Sequence, residues 1–116
     1  MIQLTLPFAP TVNSYWGFHG ARRFVSTRGV YFRYLVAGIV GKLGMEPLTG
    51  RLSVYVAVYP PDKRVRDLDN LCKGLLDSLT YSKLYIDDSQ IDKLTLERKP
   101  KFPGGKLELT IDVISD

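Results

Sequence analysis

Hydrophobic and polar residues alternate most cleanly between Leu52 and Tyr59, where Leu52, Val54, Val56 and Val58 interleave with Ser53, Tyr55, Ala57 and Tyr59. A period of two is that of a strand. The β-branched residues suit a central one, and Pro60-Pro61 stops it. The period then changes. Leu68, Leu71, Cys72, Leu75, Leu76 and Leu79 fall three or four apart, which predicts an amphipathic helix over about Leu68 to Thr80. Near the start, Ile2, Leu4 and Leu6 alternate with Gln3 and Thr5 as a short strand that Pro7 and Pro10 end.

Ser26 or Thr27 would cap a helix running to about Leu43, with Tyr31, Leu35, Ile39 and Leu43 as its apolar stripe, although Gly38 and Gly41 weaken it. Between the first strand and this helix, Thr11 to Val25 mixes Asn, Gly, Ser, Arg and aromatics without a period. A long surface loop is expected there, of a kind that often carries function. Two late runs, about Gln90 to Arg98 and Lys106 to Ile114, alternate as strands. The turn residues from Pro100 to Gly105 between them predict an antiparallel hairpin. The order βαβαββ predicts an α+β fold: two helices packed on a small mixed, mainly antiparallel sheet. At 116 residues, with no repeat or linker, residues 1–116 are expected to form a single domain.

Composition narrows the function classes. No apolar run approaches the roughly 18 residues that cross a bilayer, so no membrane role is expected. The N-terminus lacks the basic and apolar regions of a secretory signal, and one cysteine, Cys72, can make neither an intrachain disulfide nor a cysteine-based zinc site. A cytoplasmic protein is expected. The net charge is +4, and the excess is uneven: through Gly50 there are five basic residues against Glu46, and from Arg51 onward eleven of each sign. A basic excess of this kind favours a polyanion, because neutralised phosphates release counterions.

The segment from Pro60 to Lys73 joins the best strand to the best helix and holds opposite charges at high density. Asp67 and Asp69, two apart, point the same way only if Asp67 is extended and precedes the helix. Each part also has an ordinary structural use: Asp67 as an N-cap, Asp69 in the first turn, and Asp69 with Lys73 as an i,i+4 pair. Asp77, further along the same edge, fits an ion-pair ladder. Asp87 and Asp88 face opposite ways in extended chain, so one of them would face such a site, and spacing alone does not choose. Three converging carboxylates would require a cation, since two charges ~4 Å apart repel by ~4 kcal/mol at an effective dielectric near 20. Oxygen ligands without histidine or cysteine suit Mg²⁺ or Mn²⁺, and phosphodiester hydrolysis is the reaction implied. Lys73 would stabilise transition-state charge. Lys63, Arg64 and Arg66 would hold DNA backbone, as would Arg22 and Arg23 from the basic N-terminal part. His19 receives no role, Cys72 is expected to be a small hydrophobe, and Tyr15, Trp16 and Phe18 either stack on bases or pack the loop.

Arg66-Asp67-Leu68-Asp69-Asn70-Leu71 with Lys73, followed by Leu84-Tyr85-Ile86-Asp87-Asp88-Ser89-Gln90, resembles the two motifs of the RusA family of Holliday-junction resolvases, phage and prophage proteins. Leu6-Pro7 with Asn13 and Tyr15, Val25-Ser26, and Gly104 to Leu109 support the resemblance, which covers nearly the whole chain. It implies that Asp67, Asp69 and Asp88 bind the metal, that Lys73 is the catalytic lysine, and that Asn13 joins the DNA contacts. It further implies a homodimer that uses Mg²⁺ to place paired nicks in a four-way junction, without a small-molecule cofactor, in a bacterial host cell or encoded by its prophage. A nuclease preferring flaps or other branches, and a non-catalytic nucleic-acid-binding module, are the alternatives.

Overall fold

Leu52, Val54, Val56 and Val58 are each at most 1% exposed, and the strand they define, Arg51–Tyr59, sits inside a four-stranded sheet. In the computed structural model, which describes residues 1–115, the order is β1 (Ile2–Leu6), α1 (Val12–Tyr15), β2 (Trp16–His19), β3 (Arg22–Val25), α2 (Thr27–Gly41), β4 (Arg51–Tyr59), α3 (Cys72–Tyr81), β5 (Ile91–Arg98) and β6 (Lys106–Ser115). Short 3₁₀ turns occupy Leu68–Leu71 and Asp88–Gln90. The sheet order is β1-β6-β4-β5, with β1–β6 and β6–β4 antiparallel and β4–β5 parallel. This is the mixed, mainly antiparallel sheet of an α+β fold. Side chains of α2 and α3 join Leu4, Leu6, Leu107, Leu109 and Ile111 of the sheet in one core cluster.

Three expectations are corrected. The loop from Thr11 to Val25 holds α1 and a separate two-stranded hairpin, β2–β3. Elements of four residues are too short to leave a period in the sequence. Second, β5 and β6 do not pair with each other, because β4 lies between them. Residues 99–105 carry the chain across the end of β4, where Lys99 N–H donates to the Val58 carbonyl (2.8 Å) and Phe102 N–H to that of Pro60 (2.9 Å). Gly104 and Gly105, both at positive φ, make the return. The Val-rich β4 gains hydrogen bonds on both edges, which a simple hairpin would deny it.

Third, α2 buries Phe32, Val36 and Val40, one residue on from the expected stripe, and leaves Tyr31 63% exposed. Its sequence from Val30 to Val40 is apolar on most sides, so period alone does not choose the face. The helix begins as expected, with Gly29 N–H donating to the Ser26 hydroxyl (3.0 Å), but it ends at Gly41. In the second helical segment, Leu71, Leu75 and Leu79 are buried as their spacing demands. Gly74 lets α3 meet α1: a Cβ there would lie 2.9 Å from the Tyr15 ring.

Beyond α3, Leu84 and Tyr85 are buried, and the Tyr85 hydroxyl donates to the Leu76 carbonyl (2.9 Å). Gln90 fixes the turn into β5. Its amide oxygen accepts from Ile86 and Asp87 N–H (2.8 and 2.9 Å), and its nitrogen donates to the Leu48 and Gly50 carbonyls (both 3.0 Å). Gln90→Ala is therefore expected to lower stability by about 2 kcal/mol in urea unfolding. A loss too small to resolve would mean that the turn holds without this clamp.

Candidate active site

Pro60 and Pro61 end β4, and the loop beyond them delivers Asp67 in extended conformation (φ −83°, ψ 133°) at the N-cap position of the Leu68–Leu71 turn. This is the geometry that two carboxylates spaced two apart need in order to share a face. Asp67 makes no capping bond, and both it and Asp69 are exposed. Among the described residues neither enters an ion pair. Lys73 is exposed on the next turn and likewise forms no ion pair, so the i,i+4 pair with Asp69 is not made. Burial pushes the neighbouring Cys72 thiol up, helped by the charge of Asp69, which fits a half-buried hydrophobe rather than a nucleophile.

Asp87 and Asp88 are separated by their bonding. Asp87 is the N-cap of the second 3₁₀ turn: its carboxylate accepts from Ser89 N–H (3.0 Å), and hydrogen bonding to the Ser89 side chain and N–H holds its pKa below the usual carboxylate range. Asp88 is exposed and free of such a bond. It stands, however, beyond the far end of β5 from the first motif. Arg98, the last residue of β5, donates to the Arg66 carbonyl (2.7 Å), whereas Asp88 precedes Ile91, the first. Eight strand residues extend over roughly 25 Å. Among the described residues of one chain, no three His, Cys, Asp or Glu side chains come together as a metal site. Asp67 and Asp69 thus flank the start of the Leu68–Leu71 turn, and Asp88 lies apart from them in the same chain.

Of the basic residues, Arg66 is committed to the loop itself. Its guanidinium donates to both Asp62 oxygens (2.7 and 3.2 Å) and lies 5.6 Å from the centre of the Phe8 ring. Lys63 and Arg64 are exposed and form no ion pair among the described residues. They share a recess of about 440 Å³ with Arg66, Arg98 and Lys101. Sequence reasoning missed Arg98 and Lys101, which the path of the chain brings in from the β5–β6 connection; the basic run Arg98-Lys99-Pro100-Lys101 was the available signal. Asn13, Arg22 and Arg23 are exposed on α1 and the β2–β3 hairpin, outside this recess, and Arg23 sits 4.0 Å over the Trp16 ring.

Hydrogen bonds from Arg66 and from Arg64 N–H bring the Asp62 carboxyl down to about 2. A depressed acid contributes its stability above the unfolded value and loses it as pH falls through the folded one, so the loop should keep this ion pair throughout neutral and mildly acidic solution. NMR titration of Asp62 is expected to show a midpoint about 2, returning to the ordinary range in Arg66→Ala. Asp77 has a structural use: it accepts from the Tyr15 hydroxyl and from Arg33 (3.1 Å). Tyr15 is wholly buried and packs α1 on the core, so it is no base platform. Phe18 is 67% exposed at the hairpin, where His19 also lies in solvent.

Exposed carboxylates beside a basic recess, on a mixed α+β scaffold, are what a phosphodiesterase acting on a polyanion requires, and comparison with known proteins gives the class: this chain is an endodeoxyribonuclease. A family model, endodeoxyribonuclease RusA, matches residues 7–114. The chain belongs to the RusA family. It is 40% identical over 110 residues to the crossover junction endodeoxyribonuclease of Enterobacteria phage HK97, covering 94% of this chain and 92% of that one. It is 36% identical over 109 residues to proteins of the same name from Escherichia coli and Enterobacteria phage 82, covering 93% of this chain and 91% of theirs. No helix of the described residues is long and apolar enough to cross a membrane.

Proposed function

We propose that this chain is a Mg²⁺-dependent resolvase that acts as a homodimer in the bacterial cytoplasm and cuts four-way DNA junctions by paired, symmetric nicks. The observation that carries the reading is the pair Asp67 and Asp69: two carboxylates with no ion pair among the described residues, held at a strand-to-helix junction beside a recess lined by five basic residues. The names of the relatives supply the substrate.

The donor set fits a hard divalent cation. Asp67 and Asp69 offer oxygens open to solvent, and Mg²⁺ takes one or two carboxylates and keeps waters; Mn²⁺ would substitute. Such an ion would polarise the scissile phosphate and supply an acidified water. Lys63, Arg64, Arg98 and Lys101 hold the backbone, while Arg66 shapes the loop that presents the first two. Lys73, exposed one turn beyond Asp69, neutralises charge developing on the phosphate.

Asp88 completes the set from a second copy of the chain. Within one chain it lies toward the opposite end of β5, and a two-fold axis crossing that strand would exchange its ends and set Asp88 of each copy toward Asp67 and Asp69 of the other. Two equivalent strands at a junction then meet two equivalent sites.

The test uses a labelled four-way junction and a matched linear duplex, each with Mg²⁺ and with EDTA. Symmetric nicks in the junction alone, absent in EDTA, are the expected result. Equal cutting of flaps or duplex would replace the resolvase reading with a general branched-DNA nuclease, and binding without cleavage in any metal would leave a binding module.

A further inference from the structure

A cavity of about 620 Å³ lies between the chain leaving β1, the outer side of α2 and the loop before α3. The metal and phosphate chemistry of the nuclease uses only its edge, where Asp67 stands. Phe8 and Phe32 give it aromatic surface, Tyr31 rises from α2 at its side, Arg28 and Arg64 line it, and Asn70 stands close to Asp67 in sequence and in the lining. Phe32 belongs to the core, but Tyr31 is 63% and Val65 92% exposed. Large apolar groups left in water at the wall of a recess gain free energy when a ligand covers them.

Three features restrict the occupant. The volume is that of a small-molecule site. Its surfaces combine aromatic faces with hydroxyl, amide and guanidinium groups, which suits a flat group with an apolar face and a polar edge. With Arg66 already paired to Asp62, two further guanidinium groups, Arg28 and Arg64, stand against one carboxylate, Asp67, so the occupant brings negative charge with it. A nucleobase on its phosphate backbone meets all three conditions, and continuity with Asp67 places it next to the reacting phosphate.

We propose that this cavity receives one nucleobase of the strand being cut, turned out of its stack beside the phosphate at Asp67, and so sets the base preference of cleavage. The inference rests on the nuclease reading of the Asp67 and Asp69 site. Tyr31 covers the face of the base, the Asn70 amide meets its edge as donor and acceptor, and Arg28 meets the adjoining phosphate. Unstacking costs least where pairing is already interrupted, so a branch point favours the transfer.

The test has two arms. Junctions carrying 5-iodouracil at one position at a time around the exchange point are irradiated with wild-type protein in EDTA, and the crosslinked residue is mapped by mass spectrometry. Junctions with each base in turn at those positions are then cut in Mg²⁺ by the wild type and by Tyr31→Ala. The expected result is a crosslink to Tyr31 or Phe8 from a single position next to the cut. The base at that position should change wild-type cleavage about tenfold, a preference nearly flat in Tyr31→Ala and kept in Tyr31→Phe. Because Tyr31 is exposed, its truncation leaves the core intact. Bound junctions that crosslink nowhere in the cavity, or a base preference that survives Tyr31→Ala, overturn the inference while cleavage still supports the nuclease reading. A junction that is not bound at all overturns that reading and this inference with it.

Discussion

Asp69→Asn abolishes junction cleavage, by roughly a thousandfold or more, while the protein stays folded and still binds the junction. The expectation rests on where the residue stands. Its side chain is exposed and takes part in no ion pair among the described residues, so the substitution removes no packing, and losing one charge at a first helical turn costs at most about 1 kcal/mol. The isosteric amide keeps the shape and removes the charge that would hold a cation. Lys63, Arg64, Arg98 and Lys101 are untouched, which preserves the phosphate contacts. Single-turnover cleavage, gel-shift binding and urea unfolding of the same preparation separate the three effects. Cleavage within tenfold of the wild type would remove Asp69 from the metal site, and lost cleavage with lost stability would make it a structural residue.

Legibility in the sequence tracks the range of the interactions involved. The α3 stripe and the β4 alternation were legible because each is a local pattern set by one buried face. The Asp67–Asp69 pair was legible for the same reason: extended backbone just before a helix is a property of a few consecutive residues. The β5–β6 pairing was not, since Pro and Gly between two strands specify a return but not whether another strand lies between them. Nor was the face of α2, where Tyr31, Leu35 and Ile39 compete with Phe32, Val36 and Val40 in a helix apolar on most sides. Arg98 and Lys101 escaped notice because they reach the recess only through the sheet order, which puts the end of β5 against Arg66. Asp87 and Asp88 are instructive in another way. Spacing could not choose between them, yet the bond that Asp87 accepts from Ser89 N–H, reinforced by Gln90, occupies Asp87 and leaves Asp88 available.

The separation of Asp88 from Asp67 and Asp69 has the sharpest experimental consequence. Asp69→Asn and Asp88→Asn should each be inactive alone, because in a homodimer of either variant both sites lack one carboxylate. Mixing the two under conditions that allow subunits to exchange should restore cleavage. In a heterodimer, the Asp88→Asn subunit contributes intact Asp67 and Asp69, and the Asp69→Asn subunit contributes intact Asp88. One site is then whole and the other lacks both groups. With random exchange half of the dimers are mixed, and each cuts at one of its two sites, so about a quarter of the wild-type nicking is expected. Those nicks should be single: the product is a nicked junction, not two resolved duplexes, because no dimer holds two whole sites. If instead each chain closed its own site, every subunit in the mixture would lack one ligand and no activity would return. Complementation therefore reports where Asp88 acts, and the ratio of nicked to resolved product reports how many complete sites a dimer must have to resolve a junction.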